Sequence, residues 1–275
     1  MSRPTLDIEG ADRLRDLASR RVYFLDRDGT LTLAERRLPH VDAFLAKLRA
    51  TGRRAFVLTN NSSKSPRRHW ENFRRMGLDV AESDVLVSIQ PALAHLRAAG
   101  ATRLHLVANA EVTEYVRSEG FDPAAADPQA VLLTYDTEID YAKLLALVAH
   151  LRRGVPYYAT HVDVVCPTPD GPVPDIGTTI RTIQMTLGEA VRPIRTFGKP
   201  SHDFVRPVLD ALGLGFGDAV VIGDRLYTDL ELAQGTDMLS ILVLTGETTR
   251  EAHAASAIRA DIVVPDLGAL IPWLG

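Results

Sequence analysis

The sequence predicts an α/β protein: an open parallel sheet interrupted by a second, inserted α/β domain. Three observations predict it. Short apolar runs alternate with stretches of helical periodicity, the pattern of βαβ units. The residues suited to chemistry stand before position 65 or after position 197, with nothing comparable between. The stretch between them nonetheless carries strand and helix patterns of its own.

Taken in order, residues 1–21 carry Ile8, Ala11, Leu14, Leu17 and Ala18 at helical spacing with charges among them, which predicts a short amphipathic helix packed on the body. Val22-Tyr23-Phe24-Leu25 reads as a buried strand. A helix follows over 41–50, with Val41, Phe44, Leu45 and Leu48 on one face, then a strand over 54–58. Pro66 opens a helix running to Met76. In the middle third, strands are expected at 104–107, 131–134 and 157–159, and helices at 111–118, 141–151 and 178–187, after a Pro- and Gly-rich stretch from 167 to 177. The last third returns to the first pattern: a helix over 201–212 capped by Ser201, strands at 219–222, 240–244 and 262–264, and a short helix at 229–234. The resulting division is a discontinuous core, 1–87 plus 192–275, around an insertion at 88–191.

Bulk properties narrow the function. With 275 residues, 46% of them hydrophobic and 24% charged, the chain can bury a core without disulfides, and its one cysteine, Cys166, could not form an intrachain bridge. A reducing compartment fits, and zinc held by several thiolates is excluded. A net charge of −4 argues against nucleic-acid binding through bulk electrostatics. No apolar run approaches the roughly 18–20 residues of a membrane span, and the N-terminus lacks the continuous apolar stretch of a signal peptide. These observations predict a cytoplasmic protein that binds neither membrane nor nucleic acid.

Four segments carry chemistry. Asp26 and Asp28 lie just past an apolar strand, ahead of Gly29 and Thr30. In an open parallel sheet ligands bind at the carboxyl ends of strands, so both acids stand where a site belongs. One can attack as a nucleophile while the other gives and takes protons. An Asp-x-Asp-Gly turn is the plain alternative; a calcium loop of the EF-hand kind would need further oxygen ligands and a glutamate at its twelfth position, which are absent. The next strand runs into Thr59-Asn60-Asn61-Ser62-Ser63, whose hydroxyls, amides and backbone N–H groups suit either a phosphate cradle or an ordinary capped loop. In Phe197-Gly198-Lys199-Pro200, Gly198 permits close backbone approach and Lys199 could neutralise a phosphate, although isolated lysines are usually solvated surface. Asp224 and Asp229 follow the strand at 219–222; carboxylates suit Mg²⁺, and Asp229 also suits a helix N-cap.

The order of these segments resembles the four motifs of the haloacid dehalogenase superfamily of phosphohydrolases. The chain looks more closely like its NagD-like, 4-nitrophenylphosphatase and phosphoglycolate phosphatase branch, through Leu58-Thr59-Asn60-Asn61-Ser62-Ser63, Tyr135-Asp136-Thr137 followed by Tyr141, Gly198-Lys199-Pro200 and Gly223-Asp224-Arg225-Leu226-Tyr227-Thr228-Asp229. The resemblance covers nearly the whole chain beyond the N-terminal helix. It implies a Rossmann-like core with a large α/β cap of the C2 type between the second and third motifs. It further implies a Mg²⁺-dependent phosphatase in which Asp26 becomes aspartyl-phosphate and Asp28 serves as acid and then base. Thr59, Asn60 and Lys199 would bind the phosphoryl group. The metal would be held by the Asp26 carboxylate, the Asp28 carbonyl and Asp224, with Asp229 supporting it. Cap residues His161, Asp163 and Asp136 become candidates for substrate contact, and many relatives carry Asn where this chain has His161. A small phosphorylated metabolite is the implied substrate, and a homodimer through the cap the implied assembly.

Arg27, between the two catalytic acids, departs from the small or apolar residue often found there. It could reach substrate or partner a neighbouring acid. Arg67, Arg68, Arg74 and Arg75 line one predicted helix as a solvated face. Two other functions stay open. A phospho-accepting signalling domain also uses strand-end acids, but it is about half this length and has no insertion. A sugar phosphomutase shares the fold; closing caps of this size go with hydrolysis.

Overall fold

The computed structural model describes residues 8–33, 36–168 and 170–275. The chain divides into two compact units, Met1–Thr59 with Trp70–Leu86 and Val205–Gly275, and Asn60–His69 with Val87–Phe204. Residues 60–69 and 192–204, placed with the core from sequence, fall in the second unit by their contacts. Ser62 Oγ bonds Thr160 Oγ1 and accepts the Tyr135 N–H. The Arg195–Thr196 strand pairs with Tyr157–Ala159.

The first unit is built on a six-stranded sheet. Its strands lie in the order Ile262–Val264, Leu239–Val243, Ala219–Gly223, Val22–Asp26, Arg54–Thr59 and Val85–Val87. The central strands Leu239–Val243, Ala219–Gly223 and Val22–Asp26 are buried at every position, as expected where both faces of a parallel sheet are covered. Val22–Asp26 pairs in parallel with both neighbours, with Leu25 opposite Ile222 and Asp26 opposite Leu58. The carboxyl ends of three strands therefore stand side by side.

The Val41–Ala50 helix buries the four predicted side chains and packs on the 3₁₀ turn Leu267–Trp273. Of the predicted N-terminal helix, residues 1–7 lie outside the described residues. The remainder is a 3₁₀ helix, Ala11–Ser19, with Leu14 and Leu17 buried. Just before it, Glu9 and Val263 exchange two backbone hydrogen bonds of 3.1 Å at the sheet edge.

Two predicted helices take other forms. The 201–212 segment splits into a 3₁₀ turn His202–Phe204 and an α-helix Arg206–Leu212. Pro207 has no N–H to give the carbonyl four residues back, so the helix restarts at its own first turn. The segment expected as a helix over 229–234 is a π turn, Leu226–Leu230, followed by a 3₁₀ turn, Glu231–Ala233. The Leu230 N–H bonds Arg225 O at 3.2 Å, the wider spacing of a π turn.

The second unit is an α/β body in its own right. Its four-stranded parallel sheet runs Arg195–Thr196, Tyr157–Ala159, Ala130–Leu133 and Leu104–Val107. The helices Ile89–Ala98, Ala110–Ser118, Tyr141–Arg152 and Ile176–Leu187 accompany it. Val131, Leu133, Leu147, Ile180 and Ile183 share one buried core there. The first of these helices and the Val165–Thr168/Gly171–Pro174 hairpin lie outside the sequence expectations. Among the described residues, no helix is long and apolar enough to cross a membrane.

Candidate active site

Strand pairing assembles the first unit's acids. Asp26 ends one central strand and Asp224 follows the end of the next, about 4.8 Å away in the sheet. Asp229 enters from the π turn. Oxygens of Asp26, Asp224 and Asp229 all lie within 4.8 Å of one another, and the three residues are buried.

Glycines make this closeness possible. A Cβ on Gly29, which sits at φ 86°, would come within 2.3 Å of Asp224 Oδ2, and one on Gly246 within 1.9 Å. A Cβ on Gly223 would meet Asp229 Cβ at 2.2 Å. Backbone donors then fix the carboxylates. Asp224 Oδ2 accepts the Glu247 N–H at 2.7 Å, and Asp229 Oδ2 accepts the Arg225 N–H at 3.1 Å.

Three carboxylates this close repel one another by roughly 3 kcal/mol per pair at an effective dielectric near 20. Their donors are hard oxygens. That set fits Mg²⁺ and does not fit a thiophilic metal.

Asp28 lies two residues beyond Asp26 on a tight loop in which Gly29 N–H bonds Thr32 O at 2.7 Å and Leu31 N–H bonds Arg27 O at 3.0 Å. Its side chain is 35% exposed, so it can exchange protons with solvent. Arg27 is buried, with its guanidinium 5.6 Å from the centre of the Phe73 ring and Nε 3.7 Å from Asp28 Oδ1. Of its two sequence readings, the partner of a neighbouring acid matches this placement. Thr59 is buried at the end of its strand.

The second unit holds another set of predicted residues. The Asn60 amide donates to Asp163 Oδ2 at 3.2 Å and to Lys199 O at 3.1 Å, while its Oδ1 accepts the Lys199 N–H at 2.8 Å. A Cβ on Gly198 would stand 2.4 Å from that Oδ1. Asn60, Asp163 and Lys199 thus form one buried network.

His161 is fully buried, with Nδ1 3.0 Å from Thr160 Oγ1 and Nε2 3.1 Å from Asp175 Oδ1. Burial opposes its charge, but Asp175 and Asp163 outweigh that and raise its pKa. Asp136 is engaged locally: it pairs with Lys143 Nζ at 2.7 Å and accepts the Glu138 N–H at 2.8 Å.

Two comparisons of the sequence with family models match haloacid dehalogenase-like hydrolase over residues 23–122 and HAD-hydrolase-like over 196–270. The structure of a 4-nitrophenylphosphatase from Thermotoga maritima superimposes with a TM-score of 0.90 at 32% identity, covering 94% of this chain and 99% of that one. The chain belongs to the haloacid dehalogenase-like hydrolases. Within them it sits in the NagD and 4-nitrophenylphosphatase branch, and it is a phosphatase.

Two further relatives of this hydrolase family are similar over most of their length. An acid sugar phosphatase from Staphylococcus saprophyticus is 26% identical over 260 residues, 92% of this chain and 98% of its own. A glycerol phosphate phosphatase from Mycobacterium tuberculosis, solved with magnesium, has a TM-score of 0.82 at 25% identity, covering 93% of this chain and 77% of that one.

Sequence reasoning missed the Thr245-Gly246-Glu247 segment, which in this hydrolase holds Asp224 and, through Thr245 Oγ1, bonds Gly29 O. The signal was present: a glycine just past the predicted strand at 240–244, at the same end of the sheet as the acids.

Proposed function

We propose that the chain hydrolyses small-molecule phosphate monoesters with Mg²⁺, through a phosphoryl group carried on Asp26. The carrying observation is the buried Asp26–Asp224–Asp229 cluster at adjacent strand ends, with Asp28 two residues beyond its first member. When bound by Asp26, the Asp28 carbonyl and Asp224, with Asp229 in support, Mg²⁺ supplies positive charge that offsets repulsion between nucleophile and phosphate.

Asp26 attacks phosphorus in line, forming a P–O bond as the ester P–O bond breaks. Asp28 gives its proton to the departing alkoxide. It then takes a proton from the water that attacks the acyl phosphate, so that inorganic phosphate leaves and Asp26 is restored. By the family motif, Thr59, Asn60 and Lys199 bind the transferring phosphoryl group, whose charge spreads over its equatorial oxygens.

The relatives named acid sugar phosphatase and glycerol phosphate phosphatase support a small phosphorylated metabolite as substrate, with a small polar alcohol as leaving group. The test is phosphate release from a panel of sugar, glycerol, nucleoside and aryl phosphates, with Mg²⁺ and with chelator. Release that needs Mg²⁺ is expected. No release from any compound overturns the proposal.

A further inference from the structure

Arg225 sits between two sets of acids in the first unit. Its Nε lies 3.0 Å from Glu247 Oε2, and the Tyr227 hydroxyl donates to the same carboxylate at 3.0 and 3.3 Å. The Arg225 side chain is only 13% exposed. Arg225 follows Asp224 directly in the chain, and its backbone N–H holds Asp229 Oδ2 at 3.1 Å; a guanidinium does not lose its proton inside a protein. A permanent cation therefore stands in the field of two carboxylates expected to hold the catalytic metal. Left uncompensated, it would compete with that metal for their charge.

We propose that Glu247 sets the cation affinity of the Asp26–Asp224–Asp229 cluster by neutralising Arg225. This rests on the metal-dependent reading above. Glu247 is a positioning residue. Its backbone N–H holds Asp224 Oδ2, while its side chain draws on the guanidinium next door. Nothing in the sequence motif containing Arg225 points to this partner, because Glu247 lies in a separate segment beyond the Leu239–Val243 strand.

The test is Mn²⁺ binding to substrate-free protein, followed by electron paramagnetic resonance, beside thermal melts of each variant. Glu247→Gln keeps the main-chain bond to Asp224 and an oxygen for Tyr227, and removes only the charge. It is expected to weaken Mn²⁺ binding by at least about fivefold, the effect on a dication of one unit charge ~8 Å away even at the dielectric of bulk water. Adding Arg225→Met to it is expected to restore binding to within about twofold of wild type. Wild-type affinity in Glu247→Gln overturns the inference, as does a double variant as weak as the single one. If the wild-type protein hydrolyses phosphate esters with a bound cation and Glu247→Gln binds it equally well, this inference alone falls. If the wild-type protein binds no Mn²⁺, the metal-dependent reading falls with it.

Discussion

A Cβ on Gly246 would stand 1.9 Å from Asp224 Oδ2 and 2.7 Å from Asp224 Cβ, so this glycine and this acid occupy nearly the same space. Moving only the tip of the carboxylate cannot relieve such an overlap, since Oδ2 is held by the Glu247 N–H. Gly246→Ala is therefore expected to displace Asp224, raising the Mg²⁺ concentration for half-maximal activity by at least about tenfold, or ~1.4 kcal/mol. A metal titration of phosphatase activity checks it, and an unchanged midpoint contradicts it.

Asp26→Asn should abolish turnover while the protein keeps its circular dichroism and melting behaviour. More than about a tenth of wild-type activity, a penalty below ~1.4 kcal/mol, would sink the assignment of Asp26 as nucleophile.

Asp28→Asn should show a dependence on the leaving group. An alkyl phosphate needs its departing oxygen protonated, and the loss of an acid typically costs about 10²–10⁴-fold. A nitrophenyl phosphate leaves without such help, so its first step should fall much less. Single-turnover rates on both esters separate the cases, and equal losses would remove Asp28 from the acid role.

Asn60→Ala strips both a donor and an acceptor from the main chain of Lys199. Leaving buried backbone groups unpaired costs about 1–3 kcal/mol. A fall in melting temperature of at least ~2 °C is expected. An unchanged melt would mean that water replaces the amide.

A buried histidine, His161, and a half-buried one, His105, should act on stability in opposite directions. His161, with its pKa raised in the folded state, stabilises fully below the unfolded value near ~6.5, and that contribution is lost as pH rises through the raised value. His105 is pushed down to about 4 by burial first and by His150 and Arg153 second. Its neutral form stabilises above ~6.5, and the contribution is lost as pH falls toward 4. Denaturant melts across pH 4 to 8 should therefore show His105→Gln reducing the acid-side loss and His161→Gln reducing the alkaline-side loss. Parallel curves for wild type and both variants would contradict this.

Asp26 and Asp224 were legible because each follows an apolar run, and the sheet that carries them repeats the βα alternation of the sequence. Gly246 was harder to read, since what it contributes is an absent side chain. His161 is a candidate for substrate contact through the segment it occupies. Its partner Asp175 stands across a hairpin, where no local pattern predicts the pair. The edge of the second unit differs from the sequence division for a related reason. Ser62 and Arg195 are assigned by what they touch, and composition does not change at either place.

The pairing of Val22–Asp26 with Ala219–Gly223 also has a bearing on how the protein is made. On the ribosome the earlier strand emerges first, and its second edge has no neighbour until residue 223 is synthesised. At about 5–20 residues per second that wait is roughly 10–40 s. Over that interval an apolar strand with an unpaired edge is open to mispairing, and completion of this one ladder closes it.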